Sequence, residues 1–92
     1  MEFEYDPAKS RANAQKHGVD FEQAKALWDD PHGVSFAVRY EDEPRFARIA
    51  EWNQKVWHAV YTVRGPRVRL ISVRRAKYNE RDKYPKAQDD HG

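Results

Sequence analysis

The chain has no cysteine. Disulfides and thiolate metal sites are therefore excluded, and nothing in the composition asks for an oxidising compartment. No apolar run approaches the ~20 residues of a membrane span. The start, MEFEYDP, is acidic and lacks the apolar stretch of a signal peptide, so a cytoplasmic location is expected. The four glycines are isolated, which removes a Gly-rich phosphate loop. His17, His32, His58 and His91 are scattered without HxxxH or HExxH spacing, so no metal and no cofactor is expected. Ser10, Ser35 and Ser72 lack the setting of a nucleophilic serine.

What is present fits one domain over residues 1–92, with 86–92 expected to fray. A chain this short buries roughly 60–65% of its extended surface. Three Trp, four Phe and five Tyr supply large apolar area in few residues. Charge is unevenly spread. From Arg64 to Lys86 there are nine basic residues against Glu80 and Asp82, a net of +7. The remaining chain carries eight basic and thirteen acidic residues, a net of −5. That separation, with a sequence pI near 9.0, is compatible with an anionic partner.

The expected class is α+β in the order β-α-α-β-β-β-β-α. Glu2-Phe3-Glu4-Tyr5 alternates like a short strand. Asp6-Pro7 starts a helix through Ala8 to His17, and Gly18 stops it. Asp20 and Gln23 form a capping box for a second helix, which places Phe21, Ala24, Leu27 and Trp28 on one face. Asp29-Asp30-Pro31 ends it. The period then changes to two: Val34 to Tyr40, Arg45 to Trp52, Val56 to Val63 and Val68 to Val73 read as an antiparallel meander. The turns are Glu41-Asp42-Glu43-Pro44, Asn53-Gln54-Lys55 and Gly65-Pro66. A last helix is expected from Lys77 to Tyr84, at the sheet edge. The two N-terminal helices cover one sheet face and leave the other for solvent, a partner or a substrate.

Arginine chemistry is the candidate that remains. Guanidinium groups grip phosphodiesters and stabilise charge on a phosphorane-like transition state. Arg64 and Arg74 are the leading catalytic candidates, placed ~20–25 Å apart if the hairpin is regular. Arg74 and Arg75 are adjacent on a strand and point to opposite faces. Guanidiniums are too basic to accept a proton at neutral pH. The base candidates are Glu51, near the end of its strand, and His58 in the next. A lone His in an apolar strand is more often structural. Arg69, Arg75, Lys77 and Arg81 are further basic candidates for phosphate contact, the last two four apart on one helix face. Tyr78 and Tyr84 offer rings to stack on a base or hydroxyls for phosphate.

Phe3-x-Tyr5-Asp6-Pro7-x-Lys9, Asn13-x-x-Lys16-His17-Gly18-Val19-x-Phe21-Glu22-x-Ala24, Glu43-x-Arg45-Phe46, Val60-Tyr61-Thr62-x-Arg64-Gly65, Arg67-x-Arg69-x-Ile71-Ser72-x-Arg74-x-Ala76, Glu80-Arg81 and Tyr84 occur in this order. The series resembles the BrnT toxins over about residues 3–84. The resemblance implies a RelE-like fold and an RNA-cleaving toxin that arrests translation. It also implies a BrnA-type antitoxin, DNA-binding in its own right, that neutralises the toxin in an oligomeric complex repressing its own operon. Arg64 and Arg74 match the family's basic positions; His17, Arg45 and Arg69 are further motif members. The chain departs at Ala50-Glu51, where family members often show Gly-Arg, and at Asn53-Gln54-Lys55, where a Gly-containing hairpin is common. An acid at that rim either supplies a general base or weakens RNA binding. The competing reading is a non-catalytic module that binds RNA or an antitoxin. A DNA-binding domain is weaker still, because Phe21 to Trp28 carries only Lys25.

Overall fold

A computed structural model describes residues 1–38 and 42–85. Strand β1 (Glu2–Glu4) leads into helix α1 (Pro7–His17). Asp6 caps α1 by accepting from the Ala8 N–H at 2.9 Å, and Gly18 ends it with φ 80°. The face that α1 turns inward is polar. Ser10 and Asn13 are buried, and both are spent on backbone groups. Ser10 Oγ accepts from Phe21 N at 2.8 Å. Asn13 donates to the Val19 and Val73 carbonyls at 2.8 Å each and accepts from Val73 N at 3.1 Å. A helix with only alanines to bury is thus pinned to the sheet by hydrogen bonds rather than by apolar area.

Helix α2 (Phe21–Ala24) begins on the expected capping box, Asp20 with Gln23. It runs as α-helix for one turn only and tightens into a 3-10 segment, Lys25–Asp29. The apolar spacing is preserved: Phe21, Ala24 and Leu27 are buried. Strands β2 (Val34–Val38), β3 (Arg45–Trp52), β4 (Lys55–Arg64) and β5 (Arg67–Arg75) follow, then a single helical turn, α3 (Tyr78–Arg81). The architecture is α+β, in the expected element order. Arg39, Tyr40, Glu41 and residues 86–92, the tail expected to fray, lie outside the described residues.

The sheet order is β1-β5-β4-β3-β2, with β4 central. The last four strands form the meander; β1 pairs parallel to β5, Glu2 opposite Arg67 through Glu4 opposite Arg69. Both internal hairpins close over two residues. Asn53 and Gln54 have φ 55° and 64°, and Gly65 has φ 59°. The core lies between the helices and one sheet face, where Val19, Phe21, Leu27, Trp57, Ala59, Tyr61, Leu70 and Val73 pack together. Arg48 also points to this side, donating to the Leu27 and Asp30 carbonyls and to Ser35 Oγ at 3.0–3.1 Å. Gly33 is needed beside it, since a Cβ there would collide with the Arg48 guanidinium.

The second face differs from expectation. It is not left free along its length, and α3 does not sit at the sheet edge. After β5 the chain turns back across this face. Glu80 reaches His58 and Arg74, Lys83 lies over the Phe36 ring, and the Tyr84 hydroxyl donates to Asp30 Oδ2 at 2.6 Å. Ala47 and Ile49 on this face are fully buried.

Candidate active site

Strand alternation decides which charges share the second face. Opposite pairs His58 with Arg74, Val60 with Ser72 and Thr62 with Arg69 all point there, away from Trp57, Ala59 and Tyr61. An irregularity between Val60 and Tyr61 keeps both ends of β5 in phase with β4. Arg75 takes the helix side, its guanidinium 5.8 Å from the Trp57 ring centre, so the adjacent arginines do point apart.

Arg64 and Arg74 occupy opposite ends of this face. Arg64 pairs with Arg67 at the Gly65-Pro66 turn, whereas Arg74 pairs with His58, six residues back along β4 and so about 20 Å away. The turn end holds Arg64, Arg67, Arg69 and Arg45 among carboxylates from elsewhere in the chain. Arg69 meets Glu4 at 2.9 Å, Arg67 meets Glu2 at 3.4 Å, Arg64 meets Glu43 at 3.7 Å and Glu4 at 4.0 Å, and Arg45 meets Glu43 at 3.7 Å. The separation of sign along the sequence is therefore partly undone in space. Arg64 remains half-exposed, and a loose exposed pair costs little to exchange for a phosphate.

At the other end, Arg74 grips Glu80 with two parallel hydrogen bonds, Nη1 to Oε1 at 2.9 Å and Nη2 to Oε2 at 2.8 Å. Glu80 Oε1 also accepts from Lys77 N at 2.8 Å, which fixes the start of α3. His58 Nε2 lies 3.7 Å from Glu80 Oε2. The Arg74 fork holds the Glu80 carboxyl down to about 2, despite the opposing effect of burial. Burial pushes the His58 imidazole below its ordinary value; the Arg74 and Lys77 charges push the same way, and Glu80 opposes them. The result is a neutral imidazole at pH 7 beside a fixed guanidinium. That pairing can accept a proton and stabilise a developing phosphorane at one place.

Glu51 is on the same face but lies opposite Val56 rather than His58, which faces Ile49. The Glu51 backbone N–H donates to Asp30 Oδ2 at 2.8 Å, and its side chain is exposed. The described residues show no ion pair between Glu51 and His58; the carboxylate that faces the imidazole is Glu80. Lys77 and Arg81 are exposed on or beside α3. The sequence reading noted Glu80 only as a motif member beside Arg81 and gave it no role, because nothing local marks one. It became visible only when α3 folded back onto β4 and β5, although six-residue spacing from Arg74 across a turn was a usable hint. Among the described residues, no group of three His, Asp or Glu side chains is placed to share a metal ion.

No protein with a curated description matches this sequence. The family model described as "Ribonuclease toxin, BrnT, of type II toxin-antitoxin system" matches residues 5–80. That span contains α1, the whole meander, His58, Arg74 and Glu80. The chain belongs to the BrnT family of ribonuclease toxins of type II toxin–antitoxin systems.

Proposed function

We propose that this toxin cleaves RNA endonucleolytically without a metal, through a centre at the His58–Arg74 end of the second sheet face, and thereby arrests translation in the cytoplasm. The observation that carries the reading is the junction of a neutral imidazole, a guanidinium and a fixed carboxylate at one strand crossing. His58 takes the proton of a ribose 2′-hydroxyl. The 2′-oxygen attacks the adjacent phosphorus, and Arg74 stabilises the charge that gathers on the phosphoryl oxygens. The bond from phosphorus to the 5′-oxygen breaks, the 5′-oxygen takes a proton from water, and a 2′,3′-cyclic phosphate remains. Glu80 acts as a positioning residue. It binds one edge of the Arg74 guanidinium, leaving Nε and one Nη2 hydrogen without a partner among the described residues. Arg64, Arg69 and Arg45 form a separate phosphate-binding rim about 20 Å away, reached by the same strand of RNA. Glu51 is the alternative base, and Arg75, Lys77 and Arg81 are further phosphate contacts. A BrnA-type antitoxin, itself DNA-binding, neutralises the toxin in an oligomeric complex.

Cleavage of single-stranded RNA in excess EDTA tests the proposal. Arg74→Ala and His58→Ala should each lower kcat by about 10²–10⁴-fold, whereas Arg64→Ala should act mainly on KM. Products should end in cyclic phosphate, and the acid limb of kcat/KM should lie below the ordinary imidazole value because burial lowers His58. Full activity in both His58→Ala and Arg74→Ala would overturn the assignment of the centre. Failure of the wild type to cleave in EDTA would overturn the metal-free route.

A further inference from the structure

Tyr78 is 78% exposed, the one large aromatic in that state among the described residues. Other aromatic rings are spent on the fold. Phe3, Trp28 and Tyr61 form a chain of edge contacts, Phe46 stacks on Tyr61, and Trp52 tilts against Trp57. The Tyr78 ring packs against none of these, so the fold gives no reason for it. Its placement is nonetheless fixed. Glu80 clamps the turn to Arg74 and to Lys77 N, and two residues along a helix turn the side chain nearly opposite to Glu80. Glu80 therefore faces the sheet, and Tyr78 faces solvent from the same short turn, four residues after Arg74. Arg81, three residues on and on the same side, holds its guanidinium 5.8 Å from the centre of the Tyr78 ring. The ring is thus braced by a cation while most of its surface stays exposed. Lys77 stands immediately before it, near enough for its charge to act on His58.

We infer that Tyr78, braced by Arg81, is a stacking platform for an RNA base next to the phosphate held at His58 and Arg74. Resting on the proposed cleavage centre, the inference adds a nucleobase subsite to it. An unpaired base brings a π-face of its own, and the cations on either side neutralise the phosphates that flank it. A platform of this kind tolerates any base and rejects duplex, whose bases are already stacked.

The test is anisotropy with a labelled single-stranded RNA made uncleavable by 2′-O-methylation, beside the same strand carrying an abasic residue at each position in turn. Tyr78→Ala should weaken binding of the intact strand about tenfold or more. Tyr78→Phe and Tyr78→Trp should bind like wild type. One abasic position should weaken wild type equally and leave Tyr78→Ala unaffected, a coupling that a merely structural residue would not show. With cleavable RNA, Tyr78→Ala should raise KM and spare kcat, and its melting midpoint should match wild type. If the wild type cleaves at His58 and Arg74 while Tyr78→Ala binds intact RNA equally well, the subsite falls and the centre stands. If Tyr78→Ala weakens only antitoxin binding, the ring belongs to a protein interface and the inference is overturned. If the wild type binds no single-stranded RNA, subsite and centre fall together.

Discussion

Replacing Glu80 by glutamine keeps its shape and removes its charge. In the native protein the carboxyl sits at about 2 against an ordinary 4.5, chiefly because Arg74 donates two hydrogen bonds to it. At ~1.4 kcal/mol per pH unit, the gap corresponds to about 3 kcal/mol. Arg74 is 30% exposed and water screens part of the pair, so about 2 kcal/mol is the expected loss. The sign follows from proton binding. The unfolded carboxyl takes up a proton near 4.5 and the folded one near 2, so the contribution is complete above 4.5 and is lost as pH falls towards 2. Urea unfolding followed by tryptophan fluorescence measures it. With a slope of about 1 kcal/mol per molar for a domain this small, the midpoint of Glu80→Gln should lie about 2 M below wild type at pH 7. The difference should persist to about pH 4.5 and then narrow. A difference that stays constant from pH 7 to pH 3, or one below about 0.5 kcal/mol at pH 7, would refute the role given to the Arg74–Glu80 fork. Removing the anion also lets His58 fall further, so the acid limb of kcat/KM should move to lower pH in the same variant.

Two further outcomes concern the scaffold. Asn13→Ala removes three hydrogen bonds and leaves the Val19 and Val73 backbone groups buried without partners, so it should cost about 3 kcal/mol or more in a thermal melt. Gln54→Gly relieves a non-glycine residue at φ 64° and creates an Asn-Gly turn, which should raise stability by about 0.5–1 kcal/mol in the same assay without changing RNA cleavage.

Local chemistry made much of this fold readable. Asp6-Pro7 and Gly18 bound α1, Asp20 with Gln23 starts α2, and period-two alternation delivers the meander, although Lys55, read as part of a turn, already pairs with Trp52 in β4. Long-range pairing was not readable. Nothing in Glu2-Phe3-Glu4 announces a parallel partner 65 positions later, because three residues carry no register information. Helix α2 tightens after Ala24, a change the apolar spacing tolerates and therefore does not reveal. The run from Lys77 to Tyr84 has helix propensity, yet only Tyr78–Arg81 is helical, because Glu80 and Tyr84 bend the segment onto the sheet and Asp30. The basic stretch was visible as charge, and a regular hairpin already separates Arg64 from Arg74; which acids meet each end required the fold. Glu80 appeared there as one of two stray acids; only the fold makes it the counter-ion of Arg74.

The parallel pairing of β1 and β5 has a consequence for how the chain is made. Of these five strands β1 is made first and placed last, since its partner is the final strand of the meander. Strands β2 to β5 can zip by successive neighbouring turns, whereas β1 waits for a completed edge. By the same logic it is the cheapest strand to release, being three residues long and paired on one side. When it detaches, Glu2 and Glu4 leave together; Arg67 and Arg69 lose the acids that temper them, and Arg64 is left with Glu43 alone. The docking of one short strand thus sets the net charge of the distal rim.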